Sequence, residues 1–300
     1  SFAAEYPTKD ITLICPYGAG GGTDLIARQI AEHMGEKLDV NVKVENHPGA
    51  GSAIGVNKVA NSNADGYTIG LVAQPISALK PLEGVHVSPN LIESVAQINA
   101  DEAAIIVKEN AKWDDLDEFI NDAQNNPGEY NMGLTAQGAT WWQTGQIFTR
   151  DTNIEVNEIN YPDGAAGIIR ATMSGEIDFG IVSAAEALSQ VEDNELRYLV
   201  LLAEEGSMAA EKLFPQAPLI TDFGYNITHG TWRGIVAPKG TPNEVITVLE
   251  DAIEEIVSDE NFIEYMENNK FGIEYKNAEK FSEFMEAEVR AMEDLAEELE

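Results

Sequence analysis

An alternating apolar run, Ile11 to Cys15, breaks into Pro16-Tyr17-Gly18-Ala19-Gly20-Gly21-Gly22-Thr23-Asp24 and then into Leu25 to Leu38. In that last segment Ile26, Ile30 and Met34, with Ala27, Ala31 and Leu38 beside them, recur at helical spacing. The order predicts strand, glycine-rich turn and helix, which commits the chain to burying a sheet under helices. Thr23 or Asp24 offers an oxygen to cap the first helical turn. Four glycines let the backbone adopt positive φ and approach a ligand, and the N–H groups at a helix start present partial positive charge to a carboxylate or phosphate. A tight connection that holds no ligand would use the same glycines. Two nucleotide signatures do not fit. Gly22-Thr23-Asp24 lacks the lysine of a phosphate-binding P-loop and sets a carboxylate where phosphate oxygens would come. The dinucleotide pattern that would start at Gly18 and Gly20 meets Thr23 in place of its last glycine.

The same rhythm runs on. Val40, Val42 and Val44 alternate as a strand, Glu45 to Ser52 is a second glycine-rich turn, Gly55 to Ala60 reads as a short helix, and Tyr67 to Ala73 is a nearly unbroken apolar strand ending in Gln74-Pro75. Ala103 to Val107 reads as a strand leading out of a first domain, followed by a helix capped at Asp114. A second series has Tyr130 to Leu134, Val156 to Tyr161 and Ile177 to Val182 as strands, with Trp141 to Arg150 and Ala165 to Ser174 as helices. Its first turn is Thr135-Ala136-Gln137-Gly138-Ala139-Thr140. Leu196 to Ala203 and Gly230 to Pro238 read as further strands. A helix opens at Thr241-Pro242, where proline suits the first helical position, and amphipathic helices over Asp259 to Asn268 and Ala278 to Glu300 pack back on the first domain. The expected fold is α/β with two domains, 1–103 plus 232–300 and an inserted 104–231, each a mainly parallel sheet flanked by helices. Ligands bind such sheets off the carboxyl ends of strands, which brings Tyr17 to Asp24 and Gln74 to a common site.

Composition narrows the function. With 18 Lys+Arg against 52 Asp+Glu the net charge is −34, so nucleic acid and anionic membrane surfaces are poor partners. Glu250-Asp251, Glu254-Glu255, Glu293-Asp294 and Glu297-Glu298 sit on segments that keep an apolar stripe, which reads as a solvated helical face and not a metal cluster. Charge of this size is tolerable where salt screens it, and points to a salt-adapted source. No run approaches the ~20 apolar residues of a membrane span, so the chain reads as soluble. The start at Ser1 fits either a cytosolic chain or a mature secreted one whose signal was removed. Cys15, the one cysteine, excludes an internal disulfide and reads as a buried, inert thiol. His33, His47, His86 and His229 are scattered and read as surface or structural, and no His-Glu-x-x-His, Cys-x-x-Cys or Gly-x-Ser-x-Gly motif is present.

Several phrases in order resemble one family. They are Tyr6-Pro7-Thr8-Lys9-Asp10-Ile11-Thr12 leading into Pro16 to Asp24 and Ala27-Arg28, then Val44-Glu45-Asn46-His47-Pro48-Gly49-Ala50-Gly51 and Asp65-Gly66-Tyr67-Thr68. Tyr161-Pro162-Asp163-Gly164, Gly175-Glu176-Ile177-Asp178 and Ala237-Pro238-Lys239-Gly240-Thr241-Pro242 follow. Together they resemble the substrate-binding proteins of tripartite tricarboxylate transporters, the Bug family of periplasmic receptors. The resemblance implies a two-domain, hinged periplasmic binding protein of type II character that closes on a small carboxylate in an interdomain cleft. Such a receptor is a periplasmic or extracytoplasmic monomer without cofactor or metal, and it delivers its ligand to the membrane permease subunits of the transporter.

Carried over residue by residue, the first seat is Tyr17, Gly18, Ala19, Gly20, Gly21, Thr23 and Asp24, and the opposing loop is Thr135, Gln137, Gly138, Ala139 and Thr140. Tyr161, Asp163, Gly164 and Asp178 complete the cleft. The family often has Gly-x-Gly-Thr-x-x-His in the opposing loop. Here Ala136-Gln137-Gly138-Ala139-Thr140-Trp141-Trp142 puts Trp142 where that histidine would stand. An apolar wall there suits a bulkier or aromatic acid beside the di- and tricarboxylates, although adjacent tryptophans more often divide between core and surface. Arg233 offers a fork of donors to the anion, weighed against a surface or hinge salt bridge in so acidic a chain. A ligand sensor presenting the carboxylate to a sensor kinase, and an enzyme acting on a carboxylate, are the alternative readings.

Overall fold

The computed structural model describes residues 6–78, 89–161 and 164–299. Its elements run β1 (Ile11–Cys15), α1 (Gly22–Leu38), β2 (Val42–Asn46), α2 (Ala53–Ala60), β3 (Thr68–Ala73), β4 (Ile92–Lys108), α3 (Leu116–Asn125), β5 (Asn131–Leu134) and α4 (Thr140–Thr152). Then come β6 (Asn157–Asn160), α5 (Ala165–Ser174), β7 (Phe179–Ser183), α6 (Ala184–Glu192), β8 (Leu196–Leu201), β9 (Gly230–Pro238), α7 (Asn243–Val257), α8 (Glu260–Asn268), β10 (Ile273–Lys276) and α9 (Ala278–Leu299). The chain forms two compact units, one of Ser1–Asn99, Trp232–Asn269 and Ile273–Glu300, the other of Ala100–Thr231 and Lys270–Gly272.

In the first unit β1 runs parallel to β2 and β3, with Thr12 opposite both Lys43 and Thr68. β9 joins β3 antiparallel with Arg233 opposite Ala73, and β10 joins the first part of β4 antiparallel with Ile273 opposite Asn99. In the second unit β5 runs parallel to β6 and β7, and the later part of β4 pairs antiparallel with both β7 and β8. Each sheet is therefore mixed where the repeated βα rhythm suggested mainly parallel strands. The parallel part is the βαβ part, whose crossover helices return the chain to the same end, while β4 and β9 enter without such a crossover and run the other way.

α1 forms because its apolar residues fall on one face: Ile26, Ile30 and Met34 are fully buried, as are the sheet residues Ile11, Leu13 and Ile69. At about 1.5–3 kcal/mol for each large side chain taken out of water, such a stripe fixes the helix more firmly than its propensity does. In the second unit Trp113, Phe119 and Phe179 pack edge to face with ring centroids 4.9 and 4.8 Å apart.

Some boundaries differ from the sequence expectation. The N-cap of α3 is Asp115, whose carboxylate accepts from the Glu118 amide at 2.9 Å, while Asp114 donates its own amide to the Glu118 side chain. Pro242 is the N-cap of α7 and not its first helical residue. The first half of β4, and α6 and β10, were not anticipated. β4 carries Gln97, Asn99 and Asp101 in buried positions, which breaks the apolar pattern that marks a strand.

Candidate functional site

β1, β2 and β3 are parallel, so their carboxyl ends lie along one edge of the first sheet. That edge brings together Tyr17, Gly18, Ala19, Gly20, Gly21, Thr23 and Asp24 after β1, Asn46 ending β2, and Gln74 after β3. Arg233 joins them because β9 runs antiparallel and sets it beside Ala73. Gly20 has φ +85, a conformation open to glycine, and a Cβ at Gly18 or Gly20 would meet no heavy atom within 4 Å. Asp24 and Thr23 do not cap α1. Gly21 is the N-cap and, lacking a side chain, supplies no side-chain cap among the described residues. The first amides of α1 have no carbonyl within the helix, so they keep their hydrogen-bonding capacity for an anion. By contrast α3, α6 and α8 are capped by the side chains of Asp115, Ser183 and Asp259.

Asp24 braces the loop. It is buried, its Oδ2 accepts from the Gly20 amide at 2.8 Å and from Arg28 Nε at 2.9 Å, and its Oδ1 accepts from Asn46 Nδ2 at 2.8 Å. Burial pushes its carboxyl up, but the donors Arg28, Gly20 and Asn46 outweigh that and hold it below the usual carboxylate range. Asn46 also donates to the Tyr17 carbonyl at 2.9 Å. Cys15 beneath the loop is buried, and burial raises its thiol above the ordinary value, in line with an inert side chain.

Arg233 is buried, not at a surface, and donates to Thr23 Oγ1 at 2.9 Å and to Asn99 Oδ1. Its charge thus stands against the first turn of α1. The hydroxyls of Tyr17 and Ser52 are both buried, and beyond each other they have no hydrogen-bond partner among the described residues. Burial raises the Tyr17 phenol to about 12, offset in part by the nearby Ser52 hydroxyl and the Arg233 charge. Ser52 ends the second glycine-rich turn with φ +95, and Ala50 has φ +46, so two side-chain-bearing residues hold left-handed backbone beside the loop. Asn46, Ser52 and Asn99 were not picked out by sequence reasoning. Asn46 stood in a recognised phrase, but its role depends on which strands lie side by side.

In the second unit the carboxyl ends of β5 and β6 place Thr135, Gln137, Gly138, Ala139 and Thr140 on one side and Tyr161 and Gly164 next to them. Gly138 has φ +82, and Gln143, fully buried, fixes the loop by donating from Nε2 to the Gly138 carbonyl at 2.7 Å. α4, like α1, starts without a side-chain cap, its N-cap being Ala139. Tyr161 donates its hydroxyl to Glu176 at 3.0 Å, and Gly164 is the N-cap of α5. Asp163 lies outside the described residues, as does His86. Asp178 is a correction: it precedes β7, at the amino end of the strand, and its carboxylate accepts from the Asn131 amide at 2.8 Å, so it secures the edge away from these loops. Trp141 and Trp142 are both buried, where one in the core and one at the surface was expected, because α4 lies with that part of its first turn inward.

The comparisons with known proteins converge. Residues 26–300 match the model of the tripartite tricarboxylate transporter family receptor, TctC. A UPF0065 protein of Bordetella pertussis is 30% identical over 274 residues, covering 89% of this chain and 82% of that protein. Protein BugT of the same organism is 28% identical, covering 87% and 80%. A crystal structure of a TctC solute-binding protein from Polaromonas, without ligand, superposes with TM-score 0.89 at 30% identity over 98% of this chain and 100% of that one. The fold is shared also with MatC from Rhodopseudomonas palustris with bound malate (TM-score 0.74, 19% identity, 97% and 100% covered) and with R. palustris Rpa4515 with adipate (0.77, 23%, 98% and 98%). The chain belongs to the TctC, or Bug, family of tripartite tricarboxylate transporter receptors.

Proposed function

We propose that this chain is an extracytoplasmic receptor that binds a small carboxylate and hands it to the permease of a tripartite tricarboxylate-type transporter. The observation that carries the reading is the head of α1, where amides left without a side-chain cap share one sheet edge with the buried Arg233 guanidinium and the buried hydroxyls of Tyr17 and Ser52, which have no partner beyond each other among the described residues. Main-chain donors, hydroxyls and a guanidinium fork are the groups that hold a carboxylate. Asp24 adds its negative charge to internal donors and so shapes the loop without facing the anion unpaired. The bound malate of MatC and the adipate of Rpa4515 make di-acids the first class to try. Among the described residues no helix is long and apolar enough to cross a membrane.

The test is a thermal-shift and calorimetric screen of mono-, di- and tricarboxylates and aromatic acids in molar salt. A true ligand at 100 times its Kd stabilises by about 2.7 kcal/mol. Arg233→Gln and Ser52→Ala are expected to weaken that ligand roughly 10-fold or more each, as the loss of one hydrogen bond to a charged group does. Absence of a shift with every acid would remove the carboxylate reading.

A further inference from the structure

His229, which the sequence left as a surface or structural residue, is buried just ahead of β9. Its carbonyl accepts from the Ala103 amide at 3.3 Å, and Ala103 lies opposite Ser183, the last residue of β7. β7 runs parallel to β5, so His229 is held at the same sheet edge as Thr135 and the start of α4. Its Nδ1 sits 2.7 Å from Thr144 Oγ1, and that oxygen lies 2.9 Å from the Thr140 carbonyl. A hydroxyl has one proton. With that proton on the Thr140 carbonyl, the short contact is an Nδ1–H donating to Thr144, and Nε2 carries the ring's lone pair. Desolvation lowers the imidazole to about 4, so the ring is neutral at neutral pH.

His229 Nε2 and Thr135 Oγ1 are both buried without a hydrogen-bond partner among the described residues. Native structures seldom leave such atoms unmatched without a reason. A bare imidazole nitrogen repels a carboxylate oxygen and accepts only from a group that carries a proton. A hydroxyl, which donates once and can accept in return, matches an acceptor nitrogen together with a threonine hydroxyl; an ammonium brings three protons and would need three acceptors.

We propose that His229 Nε2 is a specificity-determining acceptor for a hydroxyl of an acid held at the head of α4 in the second unit, so that the receptor selects hydroxycarboxylates over the same acids without the hydroxyl. Thr144 is the positioning residue that fixes the tautomer. The inference rests on the carboxylate reading and is separable from it.

Calorimetry in molar salt on matched pairs tests it: malate against succinate, 2-hydroxyglutarate against glutarate, and citrate against propane-1,2,3-tricarboxylate, with aspartate as the ammonium arm. For the pair that fits the site, the hydroxylated member is expected to bind at least about 10-fold tighter. His229→Leu should collapse that ratio toward one, and Thr144→Val should lower it by releasing the tautomer. Should the leucine variant not fold, the imidazole 15N resonances of the wild type serve instead, with Nε2 unprotonated in the free protein and shifted by the hydroxy acid. Equal binding within every pair, a ratio indifferent to both variants, an aspartate tighter than malate, or a protonated Nε2 would overturn the proposal while carboxylate binding stood. Failure of every acid to bind would overturn the receptor reading itself and this proposal with it.

Discussion

Asp24 shows how a residue's type can be legible while its task is not. Its place in the loop after β1 marks it as a ligand contact, yet both its oxygens are spent on Gly20, Arg28 and Asn46. Asp24→Ala is expected to lower stability by about 2–3 kcal/mol, the scale of charge-assisted hydrogen bonds lost from a buried acceptor, and to weaken carboxylate binding by loosening the loop. Urea unfolding and calorimetry on the variant check both effects. Because the Asp24 carboxyl is held below its ordinary value in the folded chain, its contribution is complete above the unfolded pKa and is lost as pH falls through the folded one. His229 has the same direction for a different reason. Its ring stays neutral in the fold down to about 4, while the unfolded chain takes up the proton near 6.5. The unfolded state therefore binds more protons between those values, and stability falls as pH drops across that window. Melting temperatures of wild type and His229→Gln, measured from neutral pH down to about 4.5, should diverge in that direction, with the wild type losing more.

At the scale of elements, the turns ahead of α1 and α4 share one design, a glycine at positive φ followed by a helix start without a side-chain cap. Gly20→Ala meets no steric neighbour, so its cost is the backbone alone, about 1 kcal/mol, and the larger effect should fall on ligand affinity. Gly234 is the opposite case. A Cβ there would lie 2.4 Å from the Phe281 ring and 2.7 Å from the Ala96 carbonyl, so Gly234→Ala should destabilise the first unit by about 1–3 kcal/mol through overpacking, read as a drop in the denaturation midpoint. The elements that the sequence showed most clearly were those with an unmixed period, such as α1, α5 and β9. β10 is four residues long, too short for a period to stand out. α6 buries only small residues, Ala184 and Ala187, so no apolar stripe marks it, and the structure starts it with a capping box between Ser183 and Glu186.

For the whole molecule the dominant quantity is the net charge of −34. Glu254, Glu255, Glu293, Asp294, Glu297 and Glu298 lie on α7 and α9, largely exposed, while the opposite faces bury Leu249, Ile253, Met292 and Leu295, as a solvated acidic face requires. Self-repulsion on this scale should ease as the screening length shortens from about 10 Å in about 0.1 M salt to about 3 Å in about 1 M salt. The melting temperature is thus expected to rise across that range, and stopped-flow association of a carboxylate should quicken, since its approach is repelled over long range and held only by local donors. A flat melting curve or an association rate that falls with salt would contradict this. What the amino-acid order settled alone was the periodic content: most of the strands and helices, where a glycine-rich turn leads into a helix start, and which family the phrases belong to. Those are properties of neighbours in the chain. Only the fold decided that Asn46 and Arg28 would claim Asp24, that Arg233 would be buried against Thr23, that Asp178 would fall on the far edge of its sheet and that His229 would reach Thr144, because strand order and direction bring together residues whose separation along the chain carries no signal of their contact.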